Sequence, residues 1–249
     1  MNNKDQIPIF NNEIFKIYKD SQRENRFQIE SNIPVKNIFS SFTKLLIGTT
    51  ITNDNKSLFF KAKSILSLRK YQSYLKKTQG ISRFSYDQLI TFIYCFVKQL
   101  NYLIKQENQC FYKYTLDNII VIDYQTFLYL GYSHLKPINE NNSLSFTTTF
   151  CKDGYISPSL NKINTIPSQI HYKTIYYSLG LVAIDLFSKD EMKEELLEEE
   201  EQEEQEEQEK NLKKKEPILS IQSIQGTKLY AFLERTLNEE VTKASFIFI

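Results

Sequence analysis

The residues best equipped for chemistry fall in one short stretch, Lys113-Tyr114-Thr115-Leu116-Asp117-Asn118, which runs straight into the apolar tetrad Ile119-Ile120-Val121-Ile122. Asn118 offers a carboxamide oxygen of the kind that holds a divalent cation, and Asp117 and Asp123 are the nearby carboxylates. Each also has an ordinary local use, because Asn and Asp side chains bond to backbone in turns and caps. That local use is the expected one. Lys113 is the discordant member, since an ammonium accepts no proton at neutral pH and repels a metal ion. Other chemistries lack their parts. Cys95, Cys110 and Cys151 are an odd, widely spaced set with no C-x-x-C, the histidines are His134 and His171, and no serine stands in G-x-S-x-G. Neither a metal-ligand cluster nor a hydrolase nucleophile can be drawn from them, and reduced thiols of a cytosolic compartment are expected.

The elements that must position this stretch are legible on both sides. Ser85-Tyr86-Asp87-Gln88 has capping-box spacing, and Leu89, Phe92, Ile93, Phe96, Leu100 and Leu103 recur at helical intervals, which predicts a long helix over 85–106 with one buried face. A shorter amphipathic helix around Leu68, Tyr71 and Leu75 should stop near Gly80. Ile119 to Ile122 and Phe127 to Leu130 flank Asp123-Tyr124-Gln125-Thr126 as a small hairpin. An irregular segment with Pro158 and Pro167 follows, then a helix over 172–187 that is apolar on nearly every side, and a terminal helix over 227–237. Before residue 62, Phe27-Gln28-Ile29-Glu30 alternates like a strand, 35–47 reads as a helix, and Thr49-Thr50-Ile51 pairs with Ser57-Leu58-Phe59-Phe60 around Asn53-Asp54-Asn55.

At 249 residues with 41% hydrophobic content, the chain is long enough to bury a sizeable core. Its longest uncharged apolar run, Leu89 to Val97, is too short to span a bilayer, and Met1-Asn2-Asn3-Lys4-Asp5 lacks the apolar core of a secretion signal. A soluble intracellular protein is expected. The net charge of +1 conceals a division, because residues 189–216 hold fourteen acidic against six basic side chains, a balance of −8 that leaves +9 on the rest. Those lysines are scattered along the sequence, so nucleic acid is not the expected partner. Within the acidic stretch, residues 194–209 have almost nothing apolar to bury, and a solvated insertion is expected there.

Phe111-Tyr112-Lys113 with Asn118 five residues later, followed by an apolar strand, resembles the catalytic loop H-R-D-x-x-x-x-N of protein kinases. Further matches arrive in kinase order. Tyr155-Ile156-Ser157-Pro158-Ser159 resembles the A-P-E segment, Tyr176-Tyr177-Ser178-Leu179-Gly180 resembles W-S-L-G, and residues 226–237 are similar to the helix before the kinase C-terminus. With the closing Phe246-Ile247-Phe248-Ile249, the wording looks most like kinase-like proteins encoded by large DNA viruses. The resemblance implies an α+β, kinase-like fold with a short N-lobe-like region over 1–62 and a mainly helical C-lobe over 63–249, interrupted by the acidic insertion at 189–216. The N-lobe is expected to be small or eroded, with short strands.

Where the chain departs from the family, the chemistry goes with it. Lys113 stands where the proton-accepting Asp belongs, and Gly131-Tyr132-Ser133 stands at D-F-G, which removes the second metal carboxylate. Gly48 is the sole glycine of the first 79 residues, so no glycine loop covers nucleotide phosphates. Lys61 and Lys63 are weak candidates for a phosphate lysine, and Asn118 and Asp117 for metal ligands. Ser159 replaces the A-P-E glutamate, and Ile175 the Asp expected before W-S-L-G. The resemblance therefore implies a pseudokinase of the host-cell cytoplasm that binds a protein partner and needs no cofactor. The runner-up is a divergent serine/threonine protein kinase using ATP and Mg through Asn118 and a relocated carboxylate such as Asp117. A third reading is a structural, particle-associated protein.

Overall fold

The computed structural model describes residues 7–20, 23–188 and 224–238. The acidic insertion at 189–216 and the closing residues 246–249 lie outside them.

The first sixty residues build an antiparallel sheet from β1 (Phe10–Asn11), β2 (Phe15–Lys19), β3 (Arg26–Ser31), β4 (Ile47–Ile51) and β5 (Ser57–Lys61), in the order β1-β2-β3-β5-β4. Alternation selects its inner face. Phe15, Ile17, Phe27, Ile29, Leu58 and Phe60 are buried, while Lys16, Glu30 and Lys61 between them face outward, as a half-buried strand requires. Helix α1 (Lys36–Phe42) crosses this face, and its Phe39 and Phe42 meet Phe15 at ring separations of 6.0 and 6.4 Å. Two expectations need correcting. The helix expected over 35–47 stops at Phe42, because Leu45 and Leu46 turn back onto the Phe42 carbonyl and Ile47 already pairs with Lys61 in the sheet. The region expected to have few short strands carries five, since β1 and β2 had gone unread.

Among the remaining described residues helix outweighs strand. β6 (Ile65–Ser67) leads into α2 (Leu68–Gln79), which ends on Gly80 at φ +76°, and α3 (Tyr86–Glu107) follows. Ser85 and Gln88 form the reciprocal cap that their spacing predicts, the Gln88 amide donating to Ser85 Oγ at 3.3 Å and the Ser85 amide to Gln88 Oε1 at 2.8 Å. All six periodic apolar residues of α3 are buried. β7 (Gln109–Phe111) precedes the hairpin of β8 (Ile119–Ile122) and β9 (Thr126–Tyr129), and β6 adds to β8 as the third strand of that sheet. Asp123 and Tyr124 both take positive φ, +51° and +62°, at the centre of the tight turn that the Gln125 amide closes on the Ile122 carbonyl at 3.1 Å, within a three-residue connection.

The segment expected to be irregular holds more order than its prolines suggest: β10 (Leu135–Pro137) pairs with β7, β11 (Ser143–Phe146) with β12 (Ser168–His171), and the one-turn α4 (Pro158–Asn161) has proline at its first position. The buried helix α5 (Thr174–Ser188) packs against both α3 and α6 (Lys228–Thr236). The architecture is a mixed α+β one, strand-rich at the N-terminal end and helix-rich at the C-terminal end. Among the described residues no helix is long and apolar enough to cross a membrane.

Candidate functional site

The stretch 111–118 runs between the end of β7 and the start of β8, so two paired strands fix both of its ends. Lys113 is only 4% exposed. Its ammonium forms an ion pair with Asp153, which is 62% exposed, and donates to the Cys151 carbonyl at 3.2 Å. The hydrogen bond that Lys113 donates to Asp153 Oδ1, helped by one from the Cys151 side chain, holds the Asp153 carboxyl below the usual carboxylate range. The partner segment is itself pinned, because Tyr114 and Tyr155 exchange backbone hydrogen bonds at 3.2 and 2.9 Å. Gly154 makes that approach possible: its φ is +77°, and a Cβ there would lie 2.6 Å from the Tyr114 carbonyl oxygen.

Behind Lys113 lies a buried polar string. The Tyr129 hydroxyl contacts His134 Nδ1 at 2.5 Å, accepts from the Thr115 amide at 3.2 Å, and stands 3.3 Å from the Lys113 carbonyl. Burial pushes the Tyr129 phenol up and, with the Lys113 charge as a smaller contribution, pushes the His134 imidazole down to about 4. His134 is therefore neutral at pH 7, and its Nδ1 pairs with the Tyr129 hydroxyl as acceptor in one tautomer and as donor in the other. Gln99 of α3 supports the string by bonding both the amide and the carbonyl of Tyr129, at 3.1 and 2.9 Å. Gln99, Tyr129, His134 and Asp153 all escaped the reading of the sequence. Only the Asp153-Gly154 turn dipeptide left a local trace.

The residues that the sequence offered as cation ligands are dispersed among structural tasks. Asn118 Oδ1 accepts from Asn12 Nδ2 at 2.7 Å, and its own Nδ2 donates to Thr115 Oγ1 at 2.8 Å. Asn12 Oδ1 in turn caps the Ile14 and Phe15 amides at 3.0 and 2.7 Å. Asn118 thus fastens the loop to the N-terminal sheet. Asp117 faces away, toward Arg69 of α2 at 2.8 Å, on an exposed surface. Asp123 Oδ1 accepts from the Lys63 and Ser64 amides at 2.7 and 2.8 Å and so clips the β5–β6 connection to the hairpin turn. Lys61 lies exposed at the end of β5, its methylenes 3.1 Å from where a Gly48 Cβ would stand, and Lys63 is exposed beyond it. At Gly131 a Cβ would fall 2.5 Å from the Tyr129 ring, so the packing leaves no room for any side chain at that position. Among the described residues no group of three or more His, Cys, Asp and Glu is placed to hold a metal ion.

Cys110 is fully buried, its thiol pushed well up by desolvation and donating to the Phe111 carbonyl at 3.2 Å. It is a packing residue. No protein-family model matches the chain, and a search of curated proteins finds no significant match.

The ion pair predicts an asymmetry. Lys113→Met removes a buried charge and leaves Asp153 facing water, whereas Asp153→Ala leaves a mostly buried ammonium with the Cys151 carbonyl as its remaining partner, the costlier of the two changes. Urea unfolding of both variants should place Asp153→Ala well below Lys113→Met in stability. The reverse order would mean that the lysine reaches solvent when its partner is removed.

Proposed function

We propose that this chain is a pseudokinase, a kinase-like module that works by binding a protein partner rather than by transferring phosphate. The observation that carries the reading is Lys113, buried and ion-paired with Asp153 at the position that the resemblance assigns to the proton acceptor. An ammonium locked in that way can neither take a substrate proton nor tolerate a metal beside it.

The arrangement of elements agrees with the resemblance. A five-stranded sheet with a helix between its third and fourth strands precedes the long helix α3, the loop and the β8–β9 hairpin. In kinases the third strand carries the phosphate lysine, whose partner is a glutamate on the following helix. Here β3 turns Phe27, Ile29 and Ser31 inward and Glu30 outward, and α1 carries no acidic residue. The steric bar at Gly131 removes the second metal carboxylate in a way that one substitution cannot restore. Asn118 and Asp117, on which a divergent enzyme would depend, point to different partners.

The expected mode of action is occupation: the folded surface engages a partner and shifts its conformation or placement. Thermal melting with Mg-ATP tests the reading. A site weaker than about 1 mM gives less than about 0.4 kcal/mol of stabilisation at 1 mM nucleotide, whereas a site of about 10 μM gives about 2.7 kcal/mol. No magnesium-dependent rise in melting temperature is expected, and Lys113→Asp alone should create no transfer of labelled phosphate. Transfer by the natural chain that disappears in Asn118→Ala and Asp117→Ala would establish the divergent enzyme instead.

A further inference from the structure

Between Asn55 and Tyr86 the chain carries eight basic residues and no acidic one. The fold gathers four of them, Arg69, Lys70, Lys76 and Lys77, on the exposed side of α2. Lys70, Tyr74 and Lys77 are spaced i, i+4 and i+7 and so share one face. Tyr74, 40% exposed, packs its ring 4.8 Å from that of Tyr124, 44% exposed, at the tip of the β8–β9 turn. The result is a cationic helix face with a partly uncovered aromatic pair beside it.

Helix stability explains only part of this. Lys76 and Lys77 complement the dipole at the C-terminal turn, but Arg69 and Lys70 oppose it in a first turn that has no acidic residue. Arg69 is answered by Asp117. Lys70, Lys76 and Lys77 have no ion pair among the described residues.

The chain itself supplies a complement. Residues 194–209 contain eleven glutamates and no basic residue, and their only apolar side chains are Leu196 and Leu197. The tether starts in the right place. The Phe84 amide donates to the Leu186 carbonyl at 2.8 Å, so the end of α5, from which residue 189 departs, lies beside the segment that follows Gly80, the C-cap of α2. Eight residues separate Leu186 from Glu194, a reach of up to about 28 Å. The whole of α2 is about 18 Å long.

We propose that the basic face of α2 is a docking surface for acidic polypeptide, and that its occupant is this chain's own glutamate-rich segment, residues 194–209. The glutamates pair with Lys70, Lys76 and Lys77, and Leu196 and Leu197 cover the Tyr74–Tyr124 pair. Tethering raises the effective concentration to the millimolar range, enough to hold contacts that are individually weak. α2 carries this face whatever the chemistry of the Lys113 loop.

Zero-length carbodiimide coupling of amines to carboxylates, read by peptide mass spectrometry on the full chain, tests the proposal. The expected products are monomers in which Lys70, Lys76 and Lys77 are joined to glutamates of 194–209. Their yield per lysine should exceed that at the exposed Lys16 and Lys105 about fivefold, and should collapse as salt rises from about 0.01 to about 1 M and the Debye length shrinks from about 30 to about 3 Å. In Lys70→Gln/Lys77→Gln, coupling at the remaining Lys76 should fall about fivefold with the melting temperature unchanged, since both positions are exposed. Products spread evenly over the exposed lysines, products found only as crosslinked dimers, or binding of a single-stranded DNA oligonucleotide to this face in the full chain at about 0.15 M salt would each overturn it.

Discussion

Leu179→Asp should abolish cooperative folding. Leu179 is completely buried on α5, the helix that packs against both α3 and α6. The substitution removes a core leucine, which by itself costs about 2 to 5 kcal/mol. It also places a carboxylate at a position with no exposed surface, and an uncompensated buried charge adds several kcal/mol more. The sum is comparable to the whole stability of a domain of this size. Leu181→Asp, two residues further on the same helix but only half-buried, provides the contrast and should destabilise less. Circular dichroism and urea titration of the two variants measure the difference. A Leu179→Asp protein that melts like the natural chain would mean that α5 does not lie in the core.

That α5 could be placed from the sequence at all reflects the strength of its signal, an apolar surface on every side that only a surrounded helix tolerates. α3 was equally legible, because its cap and its periodicity are both local patterns that one short window contains. β1 and β2 were not. Phe15, Ile17 and Tyr18 do carry a strand's burial, yet β1 is two residues long and Asn12-Glu13-Ile14 separates it from β2, so the pair becomes recognisable only once β3 is beside it.

The candidate site divides along the same line. Against the kinase resemblance Lys113 and Gly131 stood out at once, because a residue type that departs from a pattern can be read without coordinates. What those two positions pack and pair with could not be read. The Lys113–Asp153 pair spans forty residues and the Asn12–Asn118 bond 106, and a pairing of that separation leaves no periodic trace. Nor does a glycine announce that the ring two residues before it has taken the space of its side chain. The basic face of α2 had looked scattered for a related reason: its charges are interleaved with core residues Leu68, Tyr71 and Leu75, and only the winding of the helix collects them.

Acidification should weaken the fold in two separable stages, the larger belonging to His134. In the unfolded chain the imidazole gains its proton as the pH falls through about 6.5. In the folded protein, desolvation and the Lys113 charge delay protonation to about 4. Between those values the unfolded state binds more protons, so stability is complete above pH 6.5 and declines by about 3 kcal/mol on the way to pH 4. Below that range Asp153 takes over: its carboxyl is held down by Lys113, so its contribution is present above the ordinary carboxylate value and is lost as the pH falls through its lower folded value. Its exposure keeps that second stage small. His134→Phe separates the stages, since phenylalanine keeps an aromatic ring against Tyr112 and carries no titrating nitrogen, while the Tyr129 hydroxyl retains the Lys113 carbonyl at 3.3 Å as an acceptor. Unfolding free energies measured in urea from pH 7.5 to pH 4 should slope steeply in the natural chain and more gently in His134→Phe, where part-buried His171, whose imidazole burial also pushes down, keeps a residual slope of the same sign. Parallel slopes in the two proteins would show that the imidazole is solvated, and would take with them the buried polar string on which Lys113 rests.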